Sequence, residues 1–303
     1  MTNNEFVVAF LTIEQKLNKF KEMLISNSYS LSDFKGMPWI NHSQRSVSST
    51  FLDDKLFAKK TTIILSTQRS GSTYFCQLLK SKTKKGNPRE HFNHSFRGDF
   101  GPINFNDVWY KGEMNNTVSH KLMGSDLPVI SHLLNNKFPG KGLNQSLASF
   151  FGSFEDLTMY RVERKSLLDQ LLSSLSAQQT GTYFGGGIGK ELEFNVDDNI
   201  LLRSWFALIW SDLYLDNLIG LLPNESVNSI IYEDDLVDGV SEKVQSFFAL
   251  SGQQMGSNDS HQVLKPPRSN SQKEDFKLAV LNHMRKKYGE YITDYLLSYT
   301  GSH

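Results

Sequence analysis

Arg69-Ser70-Gly71-Ser72-Thr73 sets a guanidinium, three hydroxyls and a glycine side by side. That combination is suited to gripping an anion. Arginine offers a planar fork of donors that can hold two oxygens at once. Glycine lets the backbone turn tightly and approach a ligand closely. If these residues open a helix, the first amides have no intrahelical acceptor, and the helix dipole adds to their positive field. The same residues could also do no more than cap a helix. They do not form a Walker loop, because no Gly-Lys-Ser/Thr triplet occurs in the chain. Further along lie other groups that could do chemistry: Glu90, His91, His94, Lys121, Arg164, Lys165, Ser173 and Arg268.

The surrounding pattern says which elements would position them. Thr61 to Leu65 is a β-branched run without alternation, as expected of a strand buried on both faces in a parallel sheet. After the polar turn, Tyr74 to Leu79 has helical spacing, so the segment reads as strand, tight turn and helix, the opening of a βαβ unit. Strands are expected at Val118 to Met123, Leu157 to Val162 and Val227 to Tyr232. Helices are expected at Thr12 to Ile25, Leu127 to Asn135, Lys165 to Gln179, Asp198 to Leu222, Val240 to Ala249 and Gln272 to Tyr288. The alternation predicts an α/β fold with a central, mostly parallel sheet flanked by helices. Ser26 to Thr50, Phe92 to Glu113 and Gly181 to Gly189 read as loops. The glycine run 185–189 would be either an acceptor mouth or a hinge. Trp205, Phe206, Ile209, Trp210 and Leu213 follow helical spacing and read as core. Cys76 reads as a small buried hydrophobe.

The turn, written in full as Ser66-Thr67-Gln68-Arg69-Ser70-Gly71-Ser72-Thr73 and followed by Gly86-Asn87-Pro88-Arg89-Glu90-His91-Phe92, resembles the bacterial trehalose-type sulfotransferases. Further resemblances follow in the same order: His120-Lys121-Leu122-Met123, the segment from Arg164 to Ser173, Ile231-Tyr232-Glu233-Asp234-Asp235-Leu236, and Leu264-Lys265-Pro266-Pro267-Arg268-Ser269. The likeness implies a P-loop-like sulfotransferase fold. It also implies transfer of a sulfuryl group from 3′-phosphoadenosine 5′-phosphosulfate (PAPS) to a hydroxyl of a small acceptor, with a carbohydrate or glycolipid-like acceptor favoured. No metal is implied. On this resemblance Arg69 with Ser70, Gly71, Ser72 and Thr73 grips the 5′-phosphosulfate, and Glu90 is the general base. Lys121 touches the sulfate or the acceptor. Either Arg164 or Lys165 holds the 3′-phosphate with Ser173, and Arg268 reaches it from a late loop. His91 and His94 are rival bases, since imidazole titrates near neutrality. Two other functions fit the same residues: a kinase-like phosphotransferase, and a nucleotide-binding protein without turnover.

Bulk properties narrow the field. Basic and acidic residues balance at 32 each among 303 residues, so the basic excess typical of a nucleic-acid binder is missing. The single cysteine excludes an intrachain disulfide and fits a reducing compartment. The stretch from Met1 to Phe10 lacks the pattern of a signal peptide, and no apolar run is long enough to span a bilayer. A cytoplasmic protein is therefore expected, with residues 1–60 as a helical extension and linker and 61–303 as the sulfotransferase domain. A homodimer is compatible with the sequence.

Overall fold

The computed structural model describes residues 3–26, 52–83, 86–93, 104–134, 137–139, 143–181, 196–223, 227–249 and 270–298. The expected loops at Ser26 to Thr50 and Gly181 to Gly189, together with His94 and Arg268, lie almost wholly or wholly outside them. The chain divides into two compact units. One comprises residues 21–165 and 211–255, the other 1–20, 166–210 and 256–303.

The larger unit holds a five-stranded sheet. Its strands are β1 (Lys60–Ser66), β2 (Glu113–Met114), β3 (Thr117–Met123), β4 (Leu157–Glu163) and β5 (Val227–Ile231), in the order β2-β3-β1-β4-β5. β1 runs parallel to both β3 and β4, β4 runs parallel to β5, and only β2 is antiparallel, against β3. The expected parallel sheet is thus present. The crossover from β3 to β4 passes to the other side of β1, so the carboxyl end of β1 sits where the strand order reverses. Open α/β sheets form their ligand crevice at such a point.

The central strands are buried for a visible reason. Ile63, Ile64 and Leu65 of β1 are fully inaccessible, which explains the unbroken apolar run. Ile64 aligns with Lys121 and Tyr160, and Leu65 aligns with Leu122 and Arg161. Because side chains alternate along a strand, these two rows face opposite sides of the sheet. On the Ile64 side pack α2 (Ser72–Thr83), α8 (Tyr232–Asp235) and α9 (Glu242–Ala249), if the remaining helices are numbered α1 (Asn3–Ser26), α3 (Phe105–Tyr110), α4 (Leu127–Leu134), α5 (Leu143–Phe151), α6 (Leu167–Thr180), α7 (Asp198–Gly220) and α10 (Asn270–Ser298). Phe75, Leu79, Tyr160, Val162, Ile230, Val244 and Phe248 form one core cluster there. A second, aromatic cluster gathers Phe57, Phe92, Phe105, Trp109, Phe150 and Phe154, whose rings meet mostly edge to face.

Three differences from expectation have local causes. Phe92 to Glu113 reads as loop, yet its last part forms α3, started by Asn104 accepting from the amides of Asn106 and Asp107, and then β2. α5 was not expected at all; it is a short helix whose apolar side joins the aromatic cluster. The strand ending at Tyr232 stops one residue earlier, where the chain coils into α8.

The smaller unit is helical. It contains α6, the first half of α7, α10 and most of α1. Asp198 opens α7 and accepts hydrogen bonds from His283 at 2.8 Å and from Lys287 and Tyr288, all on α10. Just past these residues Gly289, at φ 78°, kinks α10 into two helical pieces. Trp205, Phe206, Ile209 and Trp210 are buried, as their spacing suggests.

Candidate functional site

β1 ends at Ser66 and α2 begins at Ser72, leaving a five-residue turn. Arg69 takes a left-handed φ of 61° and Gly71 a φ of 86°. Glycine is required at position 71 for two reasons. The positive φ disfavours any Cβ. A Cβ there would also strike the Tyr232 ring, lying 2.6 Å from Cε2 and 2.8 Å from Cγ. The carbonyl of Gly71 accepts from the amides of Tyr74 at 3.0 Å and Phe75 at 3.2 Å, so Gly71 caps α2 through its backbone. Ser72 and Thr73 are then the first helical residues, whose amides have no intrahelical acceptor. Ser70 is fully buried, and its hydroxyl has no partner among the described residues. The turn therefore offers an orphan hydroxyl and a helix start at the crevice of the sheet.

Glu90 approaches the turn through Lys121. The segment 86–93 runs beside β3, with a bridge between Arg89 and His120 and a bond from the Lys121 amide to the Arg89 carbonyl at 3.1 Å. That alignment puts Glu90 next to the Lys121 side chain. Lys121 Nζ lies 2.7 Å from Glu90 Oε1 and donates to Thr73 Oγ1 at 3.0 Å. Asn93 Nδ2 donates to the other carboxylate oxygen, Oε2, at 3.1 Å. Lys121 is 6% exposed and Glu90 22%, so the ammonium is sealed and the carboxylate keeps an open side. Cys76 lies near this pair. Burial pushes its thiol up to about 12, with the Lys121 charge pulling the other way and Glu90 adding to the rise.

The neighbouring histidines point elsewhere. His120 alternates with Lys121 on β3 and enters the aromatic cluster, its Nε2 donating to the Trp109 carbonyl at 2.8 Å. Burial drives its pKa down to about 3, helped by His91 and opposed by the Trp109 hydrogen bond. His91 meets the His120 ring edge-on at 5.4 Å and donates from Nε2 to the Asn87 carbonyl at 2.9 Å.

Behind the turn stands a second group. Arg164 follows β4 directly. Its Nη1 donates to the Arg69 carbonyl at 3.3 Å, its Nε contacts Glu233 Oε1 at 3.1 Å, and its guanidinium lies 4.9 Å from the centre of the Tyr232 ring. Lys165 is exposed and pairs with Asp234 at 2.6 Å, while its amide donates to Glu233 Oε2 at 2.9 Å. Ser173 is half-buried on α6, in the smaller unit. Among the residues expected from sequence, the structure thus unites the Arg69–Thr73 turn with Glu90 and Lys121 on one side and Arg164 on another. Asn93 and Tyr232 escaped the sequence reading as site residues. Tyr232 was noted within its motif without a role, and Asn93 carried no signal beyond its nearness to Glu90.

The chain matches the model of a family described as Stf0 sulphotransferase over residues 61–111. Over that stretch, which includes β1, the turn, α2 and Glu90, the resemblance noted in the sequence is borne out, and it supports a transferase of sulfuryl groups. Lys121 and Arg164 lie beyond it. No curated protein matches the chain. Among the described residues, no helix is long and apolar enough to cross a membrane.

Proposed function

We propose that the protein transfers a sulfuryl group from PAPS to a hydroxyl of a small acceptor. The observation that carries this reading is the Lys121 ammonium, held between Glu90 and Thr73. It joins the carboxylate that would serve the acceptor to the first turn of the helix that would grip the donor. The acceptor hydroxyl attacks sulfur in line, and Glu90 takes its proton. The sulfur–oxygen bond to the 5′-phosphate breaks, and 3′,5′-phosphoadenosine leaves. Charge growing on that phosphate is met by the amides of Ser72 and Thr73, the Ser70 hydroxyl and Arg69. Lys121 has a donor to offer the sulfuryl oxygens as they move between these groups. Arg164 or Lys165, Ser173 and Arg268 would hold the 3′-phosphate. Glu90 is favoured over His91 as the base because the His91 ring is engaged with Asn87 and His120. A carbohydrate or glycolipid-like acceptor follows from the family resemblance, as does the absence of a metal.

Two measurements test this reading. In thermal-shift experiments 3′,5′-phosphoadenosine raises Tm and ATP with Mg²⁺ does not; the reverse result would point to a phosphotransferase. With radiolabelled PAPS and a panel of hydroxyl acceptors, Glu90→Gln lowers transfer by about 10²- to 10⁴-fold while keeping donor affinity. Equal turnover by this variant and the wild type would remove Glu90 from the mechanism.

A further inference from the structure

The helix α8 is only four residues long, yet every one of its side chains is committed. Tyr232 lies against Gly71 and beneath the Arg164 guanidinium. Glu233 accepts from Arg164 Nε and from the Lys165 amide, one carboxylate oxygen each. Asp234 pairs with Lys165. Asp235, buried, accepts from the Ile231 amide at 2.8 Å and from the Ser241 hydroxyl at 2.7 Å, which ties the segment to the end of β5 and the start of α9. These contacts converge on one small object, the backbone of the turn. Arg164 holds the Arg69 carbonyl, and Tyr232 fills the space where a Cβ on residue 71 would stand. Arg69 and Gly71 are the two positive-φ residues of that turn. A non-glycine residue at positive φ is strained and persists only when its surroundings hold it there.

We propose that Tyr232 and Glu233, acting through Arg164, are positioning residues that brace the Arg69–Thr73 turn from behind and keep its amides aimed outward at an anion. The proposal rests on the reading above for the identity of that anion, the 5′-phosphate end of the donor. Tyr232 presents a flat face with no room to spare. Glu233 fixes the plane of Arg164, and Arg164 fixes the Arg69 carbonyl, whose peptide carries the Ser70 amide. Loss of the brace lets the peptides on either side of Gly71 rotate, and the amides lose their common focus.

Isothermal titration of wild type, Tyr232→Phe, Tyr232→Leu and Glu233→Gln tests this with two ligands. One is 3′,5′-phosphoadenosine; the other is adenosine 3′-monophosphate, which lacks the 5′ group the turn would grip. Tyr232→Phe keeps both affinities. Tyr232→Leu and Glu233→Gln weaken the bisphosphate about tenfold more than the monophosphate, whose own loss reports any change at the 3′-phosphate group around Arg164 and Lys165. If both variants bind the bisphosphate as wild type does, or weaken both ligands equally, the brace is refuted. Should Tyr232→Leu not fold, the Glu233→Gln result decides. A ligand-free cycle separates this proposal from the functional reading. Gly71→Ala lowers Tm in wild type, and about half of that loss disappears in a Tyr232→Ala background, where the ring no longer opposes the new Cβ. Additive losses would overturn the brace. If wild type binds neither nucleotide, the functional reading falls, and the cycle still decides on the brace.

Discussion

Lys121 and Arg161 are both sealed cations on strands that flank β1, yet they are matched in opposite ways. Lys121 faces the α2 side of the sheet and meets one carboxylate, Glu90, plus the Thr73 hydroxyl. Arg161 faces the other side and meets three: Glu163 at 3.3 Å, Asp216 at 3.4 Å and Asp212. One carboxylate oxygen from each of the three lies within 4.8 Å of the other two. One guanidinium cannot neutralise three carboxylates. Burial pushes Asp216 up to about 7, Asp212 and Glu163 add to the rise, and Arg161 only partly offsets it. Asp212 is raised as well, by burial first. The Lys121 pair is balanced charge for charge and keeps one carboxylate face open. The Arg161 cluster is overloaded and ties α7 to β4. A balanced, half-open pair leaves a carboxylate face free for a further partner, whereas an overloaded one fixes an element in place and leaves a titrating group behind.

Removing each cation breaks the comparison most strongly. Arg161→Met should cost about 4 kcal/mol in urea unfolding, because it strands like charges in a partly buried site. Lys121→Met should cost about 2 kcal/mol, since Glu90 retains solvent and Asn93. Adding Glu90→Gln to Lys121→Met should restore about half of that loss, and a purely additive double variant would argue against a paired charge. The smallest effect sharpens the contrast through pH. A carboxyl whose folded pKa is raised keeps its proton in the folded state while the unfolded chain loses it. Asp216 therefore lowers stability as pH climbs from about 4 to about 7, and the penalty is complete above that window. Asp216→Asn should stabilise the protein above pH 7 by less than about 1 kcal/mol, given solvent screening at a side chain that is partly exposed, and should change little near pH 4. Chemical unfolding at pH 4, 6 and 8 measures this; a gain that is the same at all three would place the effect elsewhere.

The same contrast marks how far the sequence could be read. β1, the turn and α2 were legible because their signals are local: a β-branched run, then Arg, Gly and hydroxyls, then helical spacing. Glu90 was legible only through a family resemblance, since nothing in its own neighbourhood separates it from a solvated carboxylate. Its connection to Lys121 depends on segment 86–93 lying along β3, a long-range pairing that leaves no periodicity behind. Arg161 was invisible for the same reason. Its partners on α7 are 51 and 55 residues away, and a lone arginine in a strand run gives no hint that it is sealed. α3 and α5 were missed because short helices among crowded aromatics owe their form to ring packing rather than to propensity.

The lone thiol has a practical consequence. Cys76 is buried in the wall of α2, close to the Lys121–Glu90 pair, and its proton is held far more tightly than in a free thiol. Alkylating reagents act on the thiolate, so modification has to wait for that wall to open. With no second sulfhydryl to confuse the signal, the labelling rate of the native chain becomes a clock for the opening of the helix that follows the turn. A slower clock in the presence of nucleotide would register binding without any acceptor in hand.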